Sequence, residues 1–593
     1  ADIVVWWPPW LAAPFPSRYT RKRRMMALST MNIFSLILLW HSGVGFVPAA
    51  SLLVHHHAIR SSPTTRIQSM EMKENTIPRT RGPPKTAVVV GAGIGGLVTA
   101  GRLAKSGFKV TVVEKNKEDD VGGRMNERLL GGKYRFETGP SLMLLPGVYR
   151  EAFAALGARL EDHVAEIVRV DPCYSIFFEE DGDVVRLCGD SKMMEAQLEA
   201  LEPGSYQNYC RYLDAAQANL DAGLPNFIRG KLSISGFDRF IGNVFGGFFP
   251  LENHQAQLRR WFRTDKLRAL MSFQDLYVGL SPYDAPAVFS LLQAIELNEG
   301  VYYPRGGFHQ IAKGLYKVCR EELGVNFVFR DEAVQVTVQD RAGGGVRATG
   351  VALRSGAQVP ADVVVSNVDL PQGEQLLLPA ALREGGLLEG RKFSSSVVAF
   401  YWALDKRFDQ LSHHSVFLSN DYEESWASIF SRNEMPRSGN FYVHAPARTD
   451  PSVCPEGHDA IMVLVPCPIL SSASIDGDQG PSFQQQIKNL KQQARDLVLR
   501  RFTEAGMTDF ESHIVDEFIY SPVEWKARYN LGRGAVFGLA HGLDQLAVFR
   551  PGAAHPRVAG LYRVGASARP GNGVPLVMIG AEKTADLIIQ KEL

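Results

Sequence analysis

The chain is poor in the features that would place it in several large classes. Its 593 residues include six cysteines, Cys173, Cys188, Cys210, Cys319, Cys454 and Cys467, with no C-x-x-C pair and no metal-ligand spacing. A disulfide framework or a zinc module is not expected from such a pattern. There is no run of 18 apolar residues, so no spanning helix is expected. The formal net charge is only +1, which gives no electrostatic argument for nucleic acid. The 14 histidines show no metal spacing, and no metal is expected. No Ser/His or Cys/His arrangement suggests nucleophilic catalysis. Acidic residues are missing from Phe46 to Met70.

That acid-poor stretch belongs to a leader. Ala1 is not a start residue, and Met25, Met26 or Met31 are the expected starts. "RKRRMM" precedes an apolar run, Asn32 to Trp40, of signal-peptide length, and small residues near Gly45 suit cleavage. From Phe46 the chain carries Arg60, Arg66, several Ser and Thr, and a His triplet at 55 to 57. A signal followed by such a stretch resembles the two-part plastid leaders of algae with secondary plastids, in which Phe46 would open the transit part. The expectation is a plastid, membrane-associated protein, with a secretory or mitochondrial destination as the alternative. Residues 1–85 are read as leader plus linker.

A nucleotide-binding unit begins at Thr86. An apolar strand, Ala87 to Val90, leads into Gly91, Gly93 and Gly96 of a G-x-G-x-x-G, then a helix and a second strand ending in Glu114, 23 residues after Gly91. Gly91 permits the tight turn, Gly93 lets backbone approach a pyrophosphate, and Gly96 lets helix and strand close up. The helix start offers free N–H groups and a positive dipole. Glu114 can accept hydrogen bonds from both ribose hydroxyls and repels a 2′-phosphate. Gly122, Gly123 and Arg124 follow, an arrangement in which an Arg can pair with a pyrophosphate.

This G-G-R resembles the second signature of the amine-oxidase-like flavoproteins. "FETGPSLM", five ordered blocks (276–315, 394–430, 441–467, 524–541 and 549–585) and the turn "VGASARPGNGVP" resemble the phytoene desaturases of bacteria and fungi. The resemblance runs from Thr86 to the C-terminus. It implies an α/β, Rossmann-like FAD-binding fold of the glutathione-reductase type with an inserted α+β substrate domain. The FAD domain would comprise 86–172, 300–370 and 540–593, and the substrate domain 173–299 and 371–539. Implied FAD contacts are Gly91, Gly93, Gly95, Gly96, Glu114, Lys115, Gly122, Gly123, Arg124, Gly139, Pro140, Ser141, Val334, Gly565, Ala566, Gly573, Val574 and Pro575. The implied activity is hydride transfer from a C40 polyene to FAD, with oxygen or a quinone as final acceptor. Flavin-dependent carotenoid isomerisation, or carotenoid binding without catalysis, are the alternatives.

Polar candidates for the chemistry are few: Glu137, Ser141, Arg305 and Arg569. Glu296 could serve as a base, although a solvated carboxylate on a helix face is the commoner reading of such a position. Arg569 stands where the family typically has His, a permanent cation in place of a switchable imidazole. The reaction is therefore expected to depend most on Arg569. A polyene must be taken from a bilayer, and Phe237, Phe240, Ile241, Val244, Phe245 and Phe248, with nearby arginines, make 229–263 the expected membrane-contact segment.

Overall fold

The computed structural model describes residues 83–593 apart from 180, 231–251, 386–389 and 472–479. The leader expectations and most of the membrane-contact segment fall outside the described residues.

Five parallel strands form the first sheet, in the order Leu561–Arg563, Val363–Ser366, Thr86–Val90, Lys109–Glu114 and Asn326–Phe329. Val88, Val89, Val363, Val364 and Val365 are fully buried. Continuous burial is what a parallel strand covered on both faces requires. Alternation then divides the contacts. Ala87 and Val89 pack with Leu97 and Val98 of helix Ile94–Lys105 and with Met578 and Ile579 of helix Val574–Glu592. Val88 and Val90 face the other way, onto Ala333, Val336 and Val351 of a second, four-stranded sheet. Between 326 and 366 short strands separated at "AGGG" and "SGAQ" belong to these two sheets.

A larger sheet has seven strands, in the order Ile514–Tyr520, Ser396–Leu404, Asp459–Cys467, Phe441–His444, His414–Leu418, Tyr174–Phe178 and Val184–Leu187. All its neighbours are antiparallel except His414–Leu418 with Tyr174–Phe178. Ser396–Leu404 is buried at every position. Its Val398, Phe400, Trp402 and Leu404 meet Ala494, Leu497 and Val498 of the long helix Pro481–Glu504. Its Val397, Ala399, Tyr401 and Ala403 meet Phe136, Phe518 and Trp525. Tyr401 stacks on Phe518 with centroids 4.1 Å apart. Helices between 191 and 299 close the end of this sheet around Tyr174, Ile176 and Trp426. The architecture is the α/β cofactor-binding type with an α+β region built around a second sheet. No helix among the described residues is long and apolar enough to cross a membrane.

Candidate active site

One cavity of about 460 Å³ runs from the carboxyl ends of the parallel strands to the inner face of the seven-stranded sheet. At its first end the chain is held in conformations only glycine accepts easily. Gly91 has φ +100° and Gly122 φ +106°. A Cβ on Gly96 would collide with the Gly91 carbonyl, and one on Gly139 with the Arg124 carbonyl. Helix Ile94–Lys105 starts at Gly93 with no side chain capping it and no acid in its first turn. Its orphan N–H groups and positive end therefore face the cavity, where Gly93, Ile94 and Gly95 line the wall. Helix Val574–Glu592 also starts without a side-chain cap, at Gly573, on the same cavity. Glu114 is aimed by the backbone: one carboxylate oxygen accepts from Ala92 N–H at 2.8 Å, the other from Asn116 N–H at 2.9 Å. Arg124 is half-buried and donates to the Val536 carbonyl. Burial lowers its pKa, and the neighbouring Asp369 opposes that shift.

Two uncapped helix starts, an acid at the end of the second strand, a half-buried guanidinium and glycines that no Cβ could replace fit the phosphates and ribose of a flavin dinucleotide. Gly91, Gly93, Gly95, Glu114, Lys115, Gly122, Gly123, Arg124, Gly139, Pro140, Ser141, Gly565, Ala566, Gly573, Val574 and Pro575 all line the cavity. Gly96 and Val334 do not. Gly96 acts one layer back, by letting the helix close onto Gly91. At the other position Glu332 and Ala333 line the wall instead. The strand Ala333–Asp340 has an irregular register between Ala333 and Gln335, which moves the cavity-facing positions off Val334.

The polar candidates separate. Ser141 lines the cavity and accepts a hydrogen bond from Tyr442 at 2.8 Å. Glu137 is buried behind the wall, accepting from Tyr303 at 3.2 Å and from the Phe308 N–H, and burial pushes its pKa up to about 7. Arg305 is on the outside, paired with Glu166 at 2.6 Å and donating to the Thr449 carbonyl. Arg569 requires a correction. Its side chain is exposed and lies beside Gly552, and it is not part of the cavity wall. The turn points its neighbour inward instead: Ser567 donates to Asp369 at 2.5 Å. The buried cation here is Arg550, whose guanidinium donates to the carbonyls of Leu539, Ala540, Ala566 and Ala568. Burial lowers its pKa to about 9. Nothing in "FRPG" distinguishes it in sequence.

The far end of the cavity is apolar. Leu142, Phe273, Tyr401, Trp426, Met462 and Leu464 are among its walls. They come from positions more than 300 residues apart, so no local pattern marks them. Beneath the wall lie three buried imidazoles, His413, His414 and His444, with donor atoms within 4.8 Å of one another. Burial lowers the pKa of each, so all three are neutral. Tyr442 gives its proton to Ser141, so His414 Nδ1–H donates to Tyr442 at 2.7 Å. His413 and His444 face each other at 3.2 Å. Sequence spacing did not show this group, because a strand pairing assembles it: His414 sits opposite His444.

Comparison with known proteins agrees with this geometry. Residues 94–468 match the family described as flavin containing amine oxidoreductase. The chain is 36% identical over 519 residues to a phytoene desaturase of Fusarium fujikuroi, covering 85% of this chain and 89% of that one. It is 36% identical over 509 residues to the zeta-carotene-forming phytoene desaturase of Myxococcus xanthus, covering 85% and 93%. Among solved structures, an oxidoreductase from Methanosarcina mazei superposes with a TM-score of 0.55 at 18% identity, over 84% of this chain and 100% of that chain. That likeness concerns the fold alone.

Proposed function

The chain belongs to the flavin-containing amine oxidoreductases and, within them, to the phytoene desaturase family; from that premise we propose that it desaturates a phytoene-like C40 polyene with FAD. The observation that carries this reading is the single cavity joining a glycine-lined dinucleotide end to an apolar compartment. Bound FAD supplies a two-electron oxidant that takes hydride from carbon.

The chain's own residues do the remaining work. The N–H groups at Gly93 to Gly95 and the Arg124 guanidinium hold the pyrophosphate, and Glu114 holds the ribose. Gly565, Ala566 and the helix start at Gly573 support the other half of the dinucleotide. Trp426, Phe273, Met462 and Leu464 shed water from the polyene and fix its line of approach. Ser141, held by Tyr442, is a polar wall atom at the junction of the two ends. A hydrocarbon substrate needs no ion pair for recognition.

Expression of residues 71–593 in cells that accumulate phytoene tests the reading. Coloured or conjugated products are expected. Unchanged phytoene, with FAD bound to the protein, would remove it. Uptake from a membrane surface is supported by the aromatic, arginine-flanked sequence 229–263, and flotation with vesicles tests it. Residence in a plastid is supported by the leader's order of basic, apolar and acid-poor stretches; a fluorescent fusion of residues 25–85 would report the destination. Oxygen or a quinone is the proposed electron acceptor, separable by reoxidation rates with each.

A further inference from the structure

Desaturation breaks two C–H bonds on adjacent carbons. One hydrogen leaves as hydride, accepted by the flavin of the proposed reaction. The electron pair of the other C–H bond becomes the new π bond, and its proton must pass to a base. Among the described residues the carboxylates lining the cavity are Glu114, Glu332 and Asp369, the last held by Ser567 and the Gly532 N–H, and a hydroxyl chain leads from the wall to a fourth carboxylate behind it. We propose that Glu296 is the terminal proton acceptor, reached from the cavity through the hydroxyls of Tyr277 and Tyr174. This rests on the desaturase reading given above.

Glu296 is 1% exposed, the opposite of a solvated helix-face carboxylate. Helix Leu291–Ala294 widens into a π-turn, Ile295–Glu299, which sets Glu296 facing inward. Such turns are frequent at functional sites. Both carboxylate oxygens are occupied by neutral donors: Tyr174 Oη at 2.8 Å on Oε1, and Gln274 Nε2 at 3.1 Å on Oε2. Gln274 is oriented in turn by Gln293, whose amide donates to it at 3.0 Å and to the Met271 carbonyl at 3.1 Å. Tyr174 has one proton and gives it to Glu296. The 3.2 Å contact between Tyr174 and Tyr277 is therefore a donation from Tyr277. Every link then points from the cavity wall, where Tyr277 lies, towards the carboxylate.

In the proposed step, the substrate proton binds Tyr277 Oη as its own proton passes to Tyr174 Oη. The Tyr174 proton passes to Glu296 Oε1. Both tyrosines end neutral, and Glu296 ends as a carboxylic acid. The charge balance suits the surroundings. The titratable groups facing Glu296 are Tyr174, Tyr277, Cys173 and Tyr442, and burial pushes all four upward, so they are neutral near pH 7. None of the interactions that set the proton affinity of Glu296 comes from a cation among the described residues, and burial raises its pKa to about 7. A base tuned to that value is deprotonated for half its population at neutral pH and still has drive to accept. Glu137 has a similar proton affinity, but its partners, Tyr303 and Phe308, do not line the cavity.

The test uses FAD-loaded Glu296→Gln, Tyr277→Phe and Glu137→Gln enzymes beside the wild type. Anaerobic flavin bleaching by the polyene should slow at least 100-fold in the first two, with flavin content and polyene affinity kept. Wild-type bleaching should accelerate as pH rises through about 7, and this rise should vanish in Glu296→Gln. Infrared difference spectra without substrate should show a carboxylic C=O band titrating in the same range, reduced in Glu296→Gln and reduced in Glu137→Gln, where the other carboxyl keeps the remainder. Bleaching within threefold of wild type in both Glu296→Gln and Tyr277→Phe, or a full-strength band in Glu296→Gln, overturns the proposal. A wild type that bleaches with no polyene, though it binds FAD, overturns the desaturase reading and the proposal with it.

Discussion

The two ends of the cavity are built by opposite strategies. The dinucleotide end is made of backbone. Gly91, Gly93, Gly122 and Gly139 put main-chain atoms where side chains would stand, and two helix starts contribute N–H groups. Most of that end comes from one strand–turn–helix–strand unit, residues 86 to 124. The apolar end is made of side chains, on strands and helices that meet only because the seven-stranded sheet brings residues 174 to 520 together. A ligand with phosphates can be gripped by fixed dipoles. A hydrocarbon can be gripped only by shape and exclusion of water. Hydroxyls such as those of Ser141, Tyr277 and Tyr442 reach this wall, while the three imidazoles and Glu296 sit behind it in neutral networks.

Substitutions should separate the two ends. The largest effect is expected from Gly96→Ala, because its methyl group meets the Gly91 carbonyl rather than a flexible side chain. The purified protein should lose bound flavin, with affinity down by about 1000-fold or more as the helix start is pushed from the turn. Glu114→Ala should weaken flavin binding by about 10- to 100-fold, the range for hydrogen bonds to a charged group. Equal flavin content in either variant, read from its absorbance, would break the assignment of that end. Trp426→Ala should do the reverse. Flavin content should hold while polyene turnover falls by about tenfold, mostly in KM, and the fold loses about 3–5 kcal/mol for a truncated buried aromatic.

A smaller effect distinguishes the networks behind the wall. Glu137 and Glu296 have folded-state pKa values of about 7, above the ~4.3 of an exposed Glu. Between those values the folded chain holds two protons that the unfolded chain has released. Each carboxyl should therefore subtract about 3 kcal/mol of stability as pH rises from about 4.5 to 7, against the opposite slope of His413, His414 and His444, which are neutral in the fold but protonated in the unfolded chain below about pH 6.5. Melting temperature followed against pH should therefore rise more steeply over this range in either Glu→Gln variant than in the wild type. The smallest effect is expected from Arg569→His. An exposed side chain beside Gly552 should change kcat and the flavin spectrum by less than about twofold, a surface substitution within ±0.5 kcal/mol. A tenfold change in kcat would return that position to the chemistry.

Legibility followed the same division. The parallel sheet, its glycine turn and Glu114 were readable because the fingerprint spans 24 residues from Gly91 to Glu114 and each residue type has a local task. Val334 came from resemblance, which does not show the strand irregularity between Ala333 and Gln335; Glu332 and Ala333 line the cavity there. Arg569 was overvalued because sequence shows a charge in a glycine-rich turn but not the direction it takes. Glu296 was undervalued because a helix face looks solvated until a second element covers it, and Tyr174 and Gln274 come from 122 and 22 residues away.

What the sequence determined by itself is the cofactor: backbone turns and helix starts are local structures, fixed by glycines and spacing within a short segment. What only the tertiary structure decided is which charged and titratable groups face the cavity, which are buried behind it and which look outward. Burial and proton affinity are properties of packing between distant segments. The buried Arg550, the three neutral histidines and the carboxylate of Glu296 acquire their character only when distant segments pack over them.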